Sequence, residues 1–101
     1  IQTMEGISSA LNIMEQDIRS TDEIIQSSNE NKLILYVKPD TVSYEIKDAK
    51  IRRTKNSFAR YLTEEVAGIN LKFSYINEKL VQISLKANCT DYYNVRVCLR
   101  N

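Results

Sequence analysis

The stretch IQTMEGISSALNIMEQDIRSTDEII, residues 1–25, decides the fold predicted for this chain. Apolar side chains recur along it at alternating steps of three and four residues, with one threonine in the series: Met4, Ile7, Leu11, Met14, Ile18, Thr21 and Ile25. This spacing places them on one face of an α-helix. The stripe is already established where the sequence starts, which suggests a helix that continues an upstream helical segment.

A change of period marks the end of this helix. The polar run SSNEN, residues 27–31, stops the helical segment, which we assign to residues 1–27. From Lys32 onward apolar and polar residues alternate, a pattern typical of half-buried strands. The alternating stretches are 33–37, 42–46, 49–53, 71–75, 81–85 and 93–99. Residues 58–66 fit either a short helical turn or an irregular connection.

Short turns join these stretches, including a tight reversal at Lys47 and Asp48, and no helical pattern separates them. This order predicts an antiparallel meander over residues 32–101. One hairpin is specific, because the apolar residues of 71–75 should face those of 81–85 across a turn at Asn77 and Glu78. The predicted fold class is α+β, with the long N-terminal helix packed on an antiparallel β-sheet meander.

Composition excludes several classes of chemistry. The chain has 101 residues, enough for one domain, and its 14 basic and 13 acidic side chains give a net charge of +1. Histidine is absent, so there is no imidazole base, no histidine-activated nucleophile and no histidine-containing zinc site. The two glycines, Gly6 and Gly68, stand alone and form no phosphate-binding loop. We therefore expect no enzymatic activity, metal or cofactor.

The two cysteines, Cys89 and Cys98, lie close together in the sequence. A bridge between them would close a short loop and contribute about 2.5–3 kcal/mol in the chain-entropy model. Two reduced structural thiols, or one half of a metal site, are the alternatives. We favour the disulfide, which would place the domain outside the cytosol.

The most basic stretch is residues 47–60, with six cations and one acid. Its central members are possible contacts for DNA phosphates or for an acidic partner: Lys50, Arg52, Arg53 and Lys55. The alternative is the solvated edge of a hairpin, where cations discourage pairing between sheet edges. The balanced total charge and the lack of regularly interleaved aromatic residues favour the solvated edge.

Six short segments carry a family resemblance through their order and spacing. They are MEQDIR (14–19), VSYEI (42–46), IRR (51–53), YLTEEV (61–66), LKFSY (71–75) and LVQISL (80–85). In this order they resemble the soluble domain of a type IV filament subunit, a minor pilin or pseudopilin of the J-type secretion and competence kind. The resemblance covers roughly residues 11–87.

The resemblance implies a structural role. In such families a hydrophobic helix upstream of the soluble domain, processed by a prepilin peptidase, anchors the subunit in the inner or cytoplasmic membrane and later forms the filament core. The partners implied are other minor pilins or pseudopilins and the major pilin, at the cell surface or elsewhere outside the cytoplasm. The rival interpretation is an extracytoplasmic binding module that contacts DNA or an acidic partner through residues 47–60.

Under the filament interpretation the helix is expected to serve two purposes. Its lower apolar residues should pack on the sheet: Met14, Ile18 and Ile25. Its upper ones should extend beyond the sheet and meet neighbouring helices: Met4, Ile7 and Leu11. Burying three such side chains contributes about 5–8 kcal/mol before the costs of association.

Overall fold

One helix and eight strands make up the computed structural model of the chain, which describes residues 3–25, 28–87 and 91–100. The helix, α1, spans Thr3–Ser20. The strands follow in chain order: β1 (Glu23–Ile24), β2 (Leu33–Val37), β3 (Asp40–Lys47), β4 (Lys50–Lys55), β5 (Phe58–Tyr61), β6 (Asn70–Asn77), β7 (Leu80–Ala87) and β8 (Asp91–Cys98).

The strands form two antiparallel sheets. Strands β1 to β5 lie side by side in chain order in a five-stranded sheet, and β6, β7 and β8 form a three-stranded sheet. Within each sheet, every strand pairs with its neighbour in the sequence, whereas β5 and β6 do not pair. The division between two sheets falls in the connection from Leu62 to Ile69.

The predicted fold class, α+β with a long N-terminal helix packed on one antiparallel meander, is wrong. The structure is mostly β, with two sheets and one short helix. The helix ends at Ser20 and not near residue 27, and Glu23 and Ile24 instead pair with Tyr36 and Leu35.

Thr21 gives a physical reason for the early end of the helix. Its side chain is fully buried, and its hydroxyl donates to the backbone carbonyl of Tyr36. Its backbone N–H donates to the carbonyl of Ile18 at 3.2 Å, which closes the last turn. A threonine hydroxyl that finds a backbone partner outside the helix competes with helix continuation. The apolar period therefore runs on to Ile25 although the helix does not.

The core lies between α1 and the two sheets. It is one cluster of buried side chains from all three parts, and the largest that are fully buried are Tyr44, Ile7, Met14, Ile18, Leu33, Leu35, Ile51, Ile83 and Leu85. The helix contacts β2 of the five-stranded sheet and β8 of the three-stranded sheet. The helix is therefore fixed by both sheets at once.

The predicted hairpin of residues 71–85 is confirmed. The apolar residues of the two strands face each other as Leu71 with Leu85, Phe73 with Ile83, and Tyr75 with Val81. The turn lies at Glu78 and Lys79, one residue later than predicted, because the register shifts between Tyr75 and Asn77. The reversal predicted after Lys47 is also confirmed, since β3 and β4 join through Asp48 and Ala49. Both have positive φ, 55° and 60°, as a two-residue hairpin turn of the I′ type requires.

Hydrogen bonds to backbone carbonyls join the three-stranded sheet, and the residue Arg100 that follows it, to the segment between α1 and β2. Phe73 in β6 donates its N–H to the carbonyl of Glu30 at 2.8 Å, and Arg100 donates to the carbonyl of Thr21 at 3.1 Å. The Tyr75 hydroxyl donates to the carbonyl of Asn29 at 2.9 Å. These bonds fix the three-stranded sheet against the segment that connects α1 to β2.

Candidate functional site: the helix clamp and the sheet edges

The apolar stripe of α1 is largely buried inside the domain. Ile7, Met14 and Ile18 are fully buried, and Leu11 is 6% exposed. Ile25 lies beyond the helix and is half-buried, and the side chain of Met4 is outside what the structure describes. The expectation that Ile7 and Leu11 extend beyond the sheet is wrong. The prediction placed all strands in one meander, whereas the structure has a second sheet, and that sheet completes the core around these two residues.

A polar cluster beside the buried stripe fixes the helix to the five-stranded sheet. Asp17 on α1 accepts a hydrogen bond from the hydroxyl of Tyr44 on β3. It also accepts one from Nε of Arg53 on β4 at 2.9 Å, and the same Nε lies 3.1 Å from the Tyr44 hydroxyl. Tyr44 and Arg53 are direct cross-strand neighbours. We call these three residues the helix clamp.

The clamp is sheltered from water. The side chains of Arg53 and Asp17 are only 20% and 18% exposed, and Tyr44 is fully buried. Burial, followed by the hydrogen bond to the Asp17 carboxylate, raises the pKa of the Tyr44 phenol far above its ordinary value. The bond to Asp17 also raises the pKa of Arg53. The cluster thus holds a neutral phenol between fixed charges, which suits it to joining two elements and not to proton transfer.

Arg53 belongs to the basic stretch for which the sequence left open a phosphate contact and favoured a solvated hairpin edge. The structure instead turns Arg53 toward the core face of β4, two residues from buried Ile51. No sequence pattern connected Asp17 to this arginine. The available signal was the position of Asp17 beside Ile18, because a carboxylate that flanks a buried helix stripe needs a partner.

The other cations proposed as contacts are also occupied by groups of the same chain. Arg52 forms an ion pair with Glu45 across the β3–β4 hairpin. Nζ of Lys55 lies 3.6 Å from the carboxylate of Asp40. Nζ of Lys50 lies 4.8 Å from the centre of the Tyr61 ring, a cation–π contact. The structure thus brings these residues together on one hairpin but pairs each of them within the domain.

The acidic partners in these pairs are stabilised in their charged forms. The hydrogen bond from Arg52 lowers the pKa of Glu45. The hydrogen bond from Asn56, with a smaller effect of Lys55, lowers the pKa of Asp40. Because the carboxylates keep their charge, their attraction for the neighbouring cations persists at neutral pH. The charged carboxylates of Glu45 and Asp40 therefore reduce the positive charge that the β3–β4 hairpin presents to a partner.

We expect the domain to lose stability as pH rises from about 10 to about 12. Burial raises the pKa of Tyr75 to about 12, and it raises the pKa of Tyr44 as well. The unfolded chain loses these phenol protons near the ordinary pKa of tyrosine, so their contribution to folding is present below that pH and is lost above it. Urea unfolding at a series of pH values measures the loss.

The Tyr75→Phe variant provides the control for this effect. It has no phenol at position 75, so its free energy of unfolding should fall less steeply over that pH range than that of the wild type. Equal slopes for the two proteins would contradict the assignment of the shift to Tyr75.

The predicted disulfide lies partly outside the described residues, which do not include Cys89. Cys98 is exposed at the end of β8, where it is paired with Leu80. The bridge between Cys89 and Cys98 stays a prediction.

Among residues 3–25, 28–87 and 91–100, no group of three or more acidic or cysteine side chains could hold a metal ion. No helix in that part of the chain combines the length and the apolar character needed to cross a bilayer.

Comparisons with protein-family models, with curated proteins and with solved structures find no match for this chain.

Proposed function

We propose that this chain is the extracytoplasmic domain of a structural subunit of a type IV filament, a minor pilin or pseudopilin, and that it assembles through α1. One observation carries the proposal: α1 contacts both sheets and buries its apolar stripe from Ile7 to Ile18. The helix clamp, which flanks this stripe, joins α1 to β3 and β4 as well. A force or a displacement applied at the N-terminal end of such a helix is transmitted to the whole domain.

The segments that resemble this family add support from the sequence. MEQDIR contains Met14, Asp17 and Ile18, and VSYEI and IRR contain Tyr44 and Arg53. The resemblance therefore includes all three residues of the helix clamp. The function of the resembling positions, in this proposal, is to lock the helix onto the β structure.

The burial of the stripe changes where contacts between subunits are made. Ile7 and Leu11 are not available, so contacts with neighbouring helices fall to the polar outer face of α1 and to the chain that precedes it. Ser8, Asn12 and Gln16 are exposed on that face. The proposed partners are other minor pilins or pseudopilins and the major pilin. An upstream apolar segment would anchor the full-length subunit in the inner or cytoplasmic membrane before assembly.

Contact with DNA or an acidic partner through residues 47–60 has less support. Arg52, Arg53 and Lys55 are held in ion pairs within the domain, and Lys50 lies over Tyr61. Binding phosphates with these side chains would break contacts that the fold uses. We therefore do not adopt it as a second function.

Site-specific cross-linking in cells that carry the full-length gene tests the proposal. A photo-reactive amino acid at Asn12, on the exposed face of α1, should cross-link to a pilin-like subunit in the membrane or sheared-filament fraction. The same group at Lys86, which is exposed on β7, is the matched control and should give little or no such product. A full-length protein that is absent from both fractions, or that gives the same products from both positions, would contradict the proposal.

A further inference from the structure

The two edges of the five-stranded sheet differ in charge and in shape. Strand β1 forms one edge and β5 the other. All four side chains of β5 are exposed, including its two aromatic residues, Phe58 and Tyr61. Phe58 is 82% exposed and is the most exposed large apolar side chain among the described residues.

The β5 edge presents an aromatic ring among positive charges. Phe58 and Arg60 share one face of β5, since they pair with Lys55 and Arg53 on β4. Arg60 is exposed, and Lys55 keeps about half of its side chain in solvent beside Asp40. We define the β5 edge as Phe58, Arg60 and Lys55.

The opposite edge borders an open groove of about 470 Å³ between β1 and the β6–β7 turn. Its acidic lining consists of the exposed side chains of Asp22, Glu23 and Glu78, with Lys79 as the basic residue beside them. Ile24, Ile25 and Tyr75 supply its apolar surface. We call it the acidic groove. Its volume lies within the range of pockets that take a small organic group, and an aromatic side chain is such a group.

We infer that the acidic groove of one copy of this chain receives the β5 edge of a second copy. Phe58 would contact the apolar surface of the groove, and Arg60 would lie near its carboxylates. Two observations carry the inference. The first is complementarity, because the groove has three carboxylates and one ammonium, whereas the β5 edge has an exposed guanidinium and an exposed ring. The second is position, because the two surfaces lie on opposite edges of one sheet.

Surfaces on opposite edges give a head-to-tail contact. Each copy offers one groove and one β5 edge, so every added copy leaves one free surface of each kind and the contact can be repeated. The inference rests on the proposed function, because it names a contact between neighbouring subunits of the assembly. A small contact of this kind is weak between free molecules and becomes effective when a filament holds the subunits side by side.

Sedimentation velocity of the chain at increasing concentration, in low and in high salt, tests the inference. The wild type should form dimers and larger species as concentration rises, and added salt should reduce them, since exposed charges contribute to the contact. Arg60→Glu and Glu23→Arg should each weaken the association on the order of tenfold. Phe58→Ala should weaken it too, and its folding is not at risk because the ring is exposed. Lys86→Glu is the charge-matched control and should associate like the wild type.

A mixture of Arg60→Glu and Glu23→Arg gives the most specific result. The first variant retains an intact groove and the second retains an intact β5 edge, so together they should form a dimer that does not grow further. A monomeric wild type at every concentration would overturn the inference, and so would two variants that fail to complement each other. Either result would leave the proposed function standing, because the cross-linking at Asn12 does not involve this contact.

Discussion

Leu11→Glu is expected to lower the free energy of unfolding by about 3–5 kcal/mol. Leu11 is 6% exposed and belongs to the core cluster between the helix and the sheets. The substitution removes the contacts of a buried leucine and also places a carboxylate in the apolar core cluster. Typical domains are stable by about 5–15 kcal/mol, so the loss is a large part of the total. Chemical denaturation followed by circular dichroism measures it.

Asn12→Glu is the matched control for this substitution. It introduces the same side chain at the next residue of the same helix, but on the exposed face, where the expected change is within about 0.5 kcal/mol. If Leu11→Glu left the domain as stable as Asn12→Glu does, Leu11 would face solvent. The expectation of a free upper helix, which the structure contradicts, would then be restored.

Asp17→Ala is expected to lower the free energy of unfolding by about 2–4 kcal/mol. The substitution leaves the buried hydroxyl of Tyr44 and the sheltered guanidinium of Arg53 without their carboxylate. The cost comes mainly from these two groups, because both are shielded from water and lose the carboxylate that accepts their hydrogen bonds. The loss should be accompanied by fraying of α1, since the clamp joins the helix to β3 and β4.

Glu15→Ala on the same helix is the control for the clamp. Glu15 pairs with Arg19 at 3.2 Å on the surface, with 60% of the arginine side chain exposed. An exposed pair of this spacing contributes a few tenths of a kcal/mol, so the control should change stability by less than about 0.5 kcal/mol. Equal effects of the two substitutions would show that the clamp is no stronger than a surface ion pair.

Local patterns in the sequence predicted much of the β structure. The alternation of Leu71 and Phe73 with Ile83 and Leu85 identified both strands and their buried faces, because one face of each strand is buried. The tight turn after Lys47 was equally visible. These features depend on residues close together in the chain, where the period of the sequence directly reflects the geometry of the backbone.

The errors concern contacts between distant parts of the chain. The helix was predicted to continue to about residue 27 because Thr21 and Ile25 keep the apolar period. The Thr21 hydroxyl, however, finds the carbonyl of Tyr36, and Glu23 pairs with the same residue. The spacing of apolar residues cannot show whether the helix continues or whether it gives way to a strand whose apolar residues are buried in the same core.

The same limitation explains why the helix clamp and the division into two sheets were not predicted. Asp17 and Arg53 are 36 residues apart, and no local pattern connects them. Alternation within each strand indicates which face is buried but not which other sheet covers that face. The second sheet therefore appeared in the sequence only as additional strands of one meander, and the burial of Leu11 was missed with it.

Amide hydrogen exchange most directly tests the claim that α1 and the two sheets form one structural unit. The account predicts that the amides of Met14 and Ile18 in the helix exchange with the same free energy as those of Val42 in β3 and Ile83 in β7. All of them should open only when the whole domain unfolds. Helix amides that exchange at a much lower free energy, while both sheets stay protected, would contradict it.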